Sequence, residues 1–132
     1  TVHFEAILDE AVELPRVSPL FETARHRFAY AVSFGDELSP PRAILKHDLD
    51  AGRVERWAPG TDQYPSEAVF VPKAEPKTED DGWLLSLVFD GKSGTSSLQV
   101  VDAARLDAGA VARCHFDQAI PFGFHGIWDP AR

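Results

Sequence analysis

The 132-residue chain has no methionine and a single cysteine, Cys114. One thiol cannot close an internal disulfide, so no disulfide framework holds this chain, and a reducing compartment, the cytoplasm, suits it. Cys114 itself reads as a small buried apolar residue rather than a nucleophile. Cations are also scarce: 13 Lys and Arg stand against 21 Asp and Glu, a net charge of −8. That balance argues against a nucleic-acid partner, because affinity for a phosphate backbone needs clustered Lys and Arg. No apolar run approaches the roughly 18 residues of a membrane-spanning helix, and no secretory leader is visible at the start. Without an initiator methionine, and opening at Thr1 on a strand-like stretch over residues 2–7, the chain reads as a piece of something longer.

What is present is globular. Hydrophobic residues at 44% and charged ones at 26% are an ordinary folded-domain mixture, which excludes a disordered tract. The pattern is that of short strands. Residues 28–34 alternate with period two, placing Phe28, Tyr30, Val32 and Phe34 on one face and Ala29, Ala31 and Ser33 on the other. Residues 43–49 and 53–57 read as two more strands joined by a tight hairpin at Asp50-Ala51-Gly52. Residues 67–71 form another, stopped by Pro72. The polar stretch 73–81, with its run Glu79-Asp80-Asp81, reads as an exposed, solvated connection; it lacks the ligand spacing of a calcium loop. Residues 83–89 are apolar enough for a strand buried on both faces, and 97–102 return beside them. Residues 111–116 alternate again, with Ala112, Cys114 and Phe116 on the apolar face. About eight strands, with turns every eight to twelve residues, imply an all-β sandwich, barrel or pair of propeller blades.

Familiar catalytic signatures are missing: there is no Gly-x-Ser-x-Gly, phosphate-binding loop, dinucleotide fingerprint or His-Glu-x-x-His. Three residues stand out. His125 lies in Phe122-Gly123-Phe124-His125-Gly126, where glycines allow a sharp turn and aromatics exclude water, a setting that suits a metal ligand or a packed structural histidine. His3, His26, His47 and His115 sit beside charged residues and read as surface histidines. Glu67 opens an otherwise apolar strand, where an acid is costly unless it finds a donor. It is either an edge charge facing water or a carboxylate that holds an imidazole by its second ring nitrogen. Glu13, before Leu14-Pro15-Arg16, is open to the same two readings.

Six segments in order carry a resemblance: Val12-Glu13-Leu14-Pro15-Arg16, Arg25-His26-Arg27-Phe28-Ala29-Tyr30, Lys46-His47-Asp48-Leu49, Tyr64-Pro65-Ser66-Glu67-Ala68-Val69-Phe70-Val71-Pro72, Glu79-Asp80-Asp81-Gly82-Trp83-Leu84-Leu85 and Pro121-Phe122-Gly123-Phe124-His125-Gly126. Over residues 12–130 the chain resembles the C-terminal part of the carotenoid cleavage oxygenases, a family that includes stilbene-cleaving dioxygenases and the retinal pigment epithelium isomerohydrolase. The resemblance implies an all-β chain forming about two antiparallel blades of a seven-bladed β-propeller, with residues 1–132 a C-terminal fragment of that domain. It also implies a non-haem Fe(II) held by four histidines, of which His125 would be the last and the only one in this chain. Glu67 and Glu13 would be carboxylates that orient iron-bound imidazoles; His26 and His47 match motifs but no ligand position. No catalytic residue beyond the metal site is implied. The implied reaction adds O2 across an apolar alkene, of a carotenoid, apocarotenoid or stilbene, and splits it into two carbonyls. The rest of the propeller would be the partner that completes the site. The complete enzyme would be cytoplasmic, with no transmembrane segment and any membrane association peripheral. Because iron chemistry of this kind needs at least three protein ligands, the chain alone would be inactive. The other reading is a non-catalytic propeller-derived module for binding or assembly.

Overall fold

The computed structural model describes residues 1–4, 6–34 and 39–130. Among these residues, nine strands make two antiparallel sheets. The first sheet runs β1 (Val12–Arg16), β2 (Phe28–Ser33), β3 (Ala43–Asp48), β4 (Arg53–Trp57), with neighbours in sequence also neighbours in space. The β3–β4 hairpin turns at Gly52, which takes the left-handed φ of 61° that glycine accepts without strain. The second sheet is built on the long β7 (Gly82–Asp90), with β8 (Thr95–Asp102) and β9 (Ala110–His115) on one side. On its other side β7 pairs with two short strands in tandem, β5 (Gln63–Pro65) and β6 (Val69–Pro72). The all-β, two-blade architecture expected from the sequence is the one observed.

The junction between β5 and β6 positions the site. Pro65 lies opposite Val88 and Val69 opposite Leu85. Three residues, Ser66, Glu67 and Ala68, therefore face only two, Ser86 and Leu87. This is a bulge: the extra residue breaks the ladder and re-aims a side chain. Ser66 stays tied to β7, its amide donating to the Leu87 carbonyl at 2.7 Å and its carbonyl accepting from the Ser86 hydroxyl at 3.0 Å. Glu67 is released to point elsewhere.

The two sheets share one core. Phe28, Tyr30 and Val32 from β2 join Phe70, Leu84, Val88 and Val101 from the second sheet, with Phe34 packed at the margin. The Tyr30 and Phe70 rings lie 5.5 Å apart. Each such buried side chain contributes roughly 1.5–3 kcal/mol. Gly82 is required where β7 starts, since a Cβ there would strike the Phe70 ring and the Val71 carbonyl.

Several expectations are corrected. The stretch 2–7 forms no strand among its described residues; Val2, Phe4 and Ile7 are exposed, and Glu5 lies outside the described residues. β1 and β5 were not expected: Leu14, at φ 55°, and Pro15 spoil the alternation of β1, and β5 has three residues. Cys114 is exposed rather than buried, because β9 is an edge strand and no element among the described residues covers it. β7 is buried on one face only. Leu84, Ser86 and Val88 face the core, while Trp83, Leu85, Leu87 and Phe89 are half-buried, Leu85 and Leu87 lying against the C-terminal segment. The acidic run is not simply solvated. Glu79 accepts from the Arg27 and Phe28 amides, Asp80 pairs with the buried Lys46 at 2.7 Å, and Asp81 pairs with Lys73. The first two contacts clip the connection before β7 onto the first sheet, and the third braces the connection internally. No helix of the described residues is long and apolar enough to cross a membrane.

Candidate metal centre

After β9 the chain runs without regular structure to residue 130. Its first anchors are on β8: the Phe116 amide donates to the Ser96 carbonyl at 2.9 Å, and the Ile120 amide to the Ser96 hydroxyl at 2.9 Å. Five residues later it reaches the β5–β6 bulge. There His125 Nδ1 lies 2.8 Å from Glu67 Oε1, and the Gly126 amide donates to Glu67 Oε2 at 2.6 Å.

Glu67 receives a third donor, Arg16 Nε, at 2.6 Å on Oε1. Arg16 ends β1, and its Nη2 also donates to the Gly126 carbonyl at 2.8 Å. Glu67 is buried, with 5% of its side chain exposed. Burial alone would push its carboxyl upward. The donors from Arg16, Gly126 and His125 outweigh that push, and the group lies below the ordinary glutamate range, a carboxylate at neutral pH.

The consequence for His125 is chemical. An imidazole whose Nδ1 faces a carboxylate keeps its proton there and its lone pair on Nε2. That Nε2 has no partner among the described residues, and the side chain is 65% exposed. Such a nitrogen can act as a metal donor, with tautomer and ring angle set by the carboxylate. No group of three His, Cys, Asp or Glu among the described residues could hold a metal ion. The expected exclusion of water is not provided either. Phe122 and Phe124 are 55% and 83% exposed, although the Phe122 ring lies edge-on to Phe89 of β7.

Glu13 is placed differently. It is exposed on β1 opposite Val32, and among the described residues it makes no hydrogen bond. It lines a hollow of about 330 Å³ together with Ser66 and Phe124, the immediate neighbours of Glu67 and His125. It therefore faces the same region without joining the Glu67–His125 pair. The four other histidines lie elsewhere; His26 contacts the Ala24 carbonyl and His47 sits within β3. Arg16 is the residue that sequence reasoning passed over. Its signal was Glu67, an acid in apolar surroundings that needed a donor.

Comparison with known proteins follows from this geometry. The sequence pattern described as retinal pigment epithelial membrane protein matches residues 1–130. A carotenoid dioxygenase of Neurospora crassa is 37% identical over 121 residues, 92% of this chain and 19% of that protein. The apocarotenoid-15,15'-oxygenase of Synechocystis is 32% identical over 130 residues, 97% of this chain and 26% of that protein. The crystal structure of the cobalt-substituted Synechocystis enzyme superimposes with a TM-score of 0.86 at 31% identity, covering 93% of this chain and 26% of that one. The chain spans about a quarter of the length of these relatives or less.

Proposed function

This chain belongs to the family of the retinal pigment epithelial membrane protein and the carotenoid oxygenases, and on that premise we propose that it is the C-terminal part of a non-haem Fe(II) dioxygenase. Its substrate would be a carotenoid, apocarotenoid or stilbene alkene, cleaved by O2 into two carbonyl products in the cytoplasm. The observation that carries the proposal is the carboxylate-held imidazole, Glu67 Oε1 to His125 Nδ1 at 2.8 Å with Nε2 free. A histidine that ligates a metal through one nitrogen almost always donates the other to such a partner.

In this reading His125 Nε2 is one of four iron ligands, and the other three histidines come from the rest of the propeller. Bound iron would supply the activation of dioxygen for addition across the alkene. Glu67 holds the His125 proton at Nδ1, fixes the ring plane and raises the basicity of Nε2. Glu13 would receive a histidine from outside this chain; its exposure and lack of a hydrogen-bond partner among the described residues support this reading. Phe122 and Phe124 would exclude water once neighbouring blades cover them.

The test is metal content. This chain alone, loaded with Fe(II), is expected to retain no stoichiometric iron. Combined with the remaining propeller it is expected to bind iron and cleave an alkene, and His125→Ala is expected to abolish both. Tight iron and cleavage by this chain alone, or a His125→Ala enzyme that keeps its iron, overturns the proposal.

A further inference from the structure

We infer that Arg16 is a positioning residue for His125, acting through Glu67 and the Gly126 peptide. The inference rests on His125 being the metal ligand proposed above. Between Ile120 and His125 no hydrogen bond holds the tail among the described residues; the Phe122 ring rests edge-on against Phe89, and the polar anchors that place His125 are those at the bulge.

At the bulge the Gly126 peptide is gripped from both sides. Glu67 Oε2 accepts from its amide at 2.6 Å, and Arg16 Nη2 donates to its carbonyl at 2.8 Å. Arg16 Nε, from the same planar group, donates to Glu67 Oε1 at 2.6 Å, the oxygen that His125 Nδ1 faces. Arg16, Glu67 and Gly126 thus close a triangle, with the imidazole hung from one corner. A guanidinium suits the task because its donors leave in fixed directions in one plane. It ties the carboxylate plane to the direction of the Gly126 carbonyl. An ammonium is a single rotating point and cannot impose that relation.

The backbone supports the same conclusion. The register of β1 against β2 slips between Glu13 and Arg16, with Leu14 at φ 55°. Residues three apart on a regular strand point to opposite faces. Here Arg16 reaches Glu67 and Gly126 while Glu13 lines a hollow with Ser66 and Phe124. The slip brings both side chains of one short strand to the same junction.

Nuclear magnetic resonance on the full chain tests the role without any metal. Long-range ¹H–¹⁵N correlations report the His125 tautomer, and amide exchange reports the Gly126 anchor. In the parent chain His125 is expected as the Nδ1–H form with a protected Gly126 amide. Arg16→Gln is expected to raise Gly126 exchange about 10-fold, as for one lost charged hydrogen bond, and to mix the tautomers. Amides of Leu84 and Val101 should exchange as before. Arg16→Lys should restore less than half of the lost protection. An Arg16→Gln chain with unchanged Gly126 exchange and tautomer overturns the inference, as does a loss of protection spread through β7 and β8. Failure of the iron reading would show as iron retained by the His125→Ala enzyme, a result that leaves these resonances untouched.

Discussion

Glu67 and His125, 58 positions apart in sequence, meet at 2.8 Å where the C-terminal tail crosses the bulge between β5 and β6. The buried member is the acid and the exposed member is the base. The carboxylate is therefore held by the fold, and the imidazole is held by the carboxylate.

Glu67→Gln keeps the volume of this side chain and removes its charge. In the complete enzyme it is expected to weaken metal retention by about 10–100-fold, as for other losses of a histidine's carboxylate partner. Metal titration with a competing chelator measures this, with circular dichroism expected to be unchanged. Retention equal to the parent would deny Glu67 its role in holding the metal.

Lys46 is a second buried charge, 3% exposed, that depends on Asp80 at 2.7 Å and lies 4.4 Å from the Phe28 ring centre. Asp80→Asn strands this ammonium inside and is expected to cost about 3 kcal/mol, the usual loss on breaking a buried pair from one side. Adding Lys46→Met should recover most of it, because no unpaired charge then remains. Urea unfolding decides; a single variant as stable as the parent would show that Glu55, 3.9 Å away, suffices as partner.

Acid should destabilise the chain along a defined limb. Arg27 holds the Asp48 carboxyl far below its usual range, against the upward push of burial and with help from the Ala51 amide. Asp80 is also low: burial pushes it upward, and the hydrogen bonds from Lys46 and Thr78 together with the Lys46 charge outweigh that push. A carboxyl with a lowered folded-state value contributes stability that is complete above its unfolded value, about 3.9 for aspartate. That contribution is lost as pH falls through the folded value. Thermal melts should therefore be flat near neutrality and fall below about pH 4. Asp48→Asn should flatten that acid limb, and an unchanged limb would assign it to other acids.

The outer face of the second sheet is apolar and thinly covered. Trp83, Leu85, Val100, Val111 and Trp128 line a shallow hollow of about 320 Å³ beside the open edge of β9. Uncovered faces and unpaired edges favour association. Sedimentation equilibrium on the isolated chain is expected to show concentration-dependent dimers or larger species, reduced by Val111→Lys. A strict monomer at millimolar concentration would contradict this.

The sequence was most legible where one physical rule acted alone. Period-two alternation marked β2 and β9, and the turn at Gly52 marked the β3–β4 hairpin. Legibility failed where a contact distant in sequence decides. The acidic run looked solvated because Arg27 and Lys46, which hold it, lie more than 30 positions away. Cys114 looked buried because an edge strand can alternate like a covered one. At the site, Glu67 and His125 were marked as unusual by their neighbours, whereas Arg16 was signalled only indirectly, through the donor that Glu67 required. Its importance lies in two bonds spanning 51 and 110 positions, which no local pattern encodes.

The bulge at residues 66–68 also separates two evolutionary fates. Deleting one of its three residues would let the inner strand pair continuously with β7, with no orphaned step in the ladder. The blade would gain regularity, and the acid would rotate away from the histidine. Bulges recur beside active sites, where they re-aim a side chain at some loss of ladder pairing. A descendant that kept the fold and abandoned catalysis should reveal itself by a missing residue here, before any loss in the core.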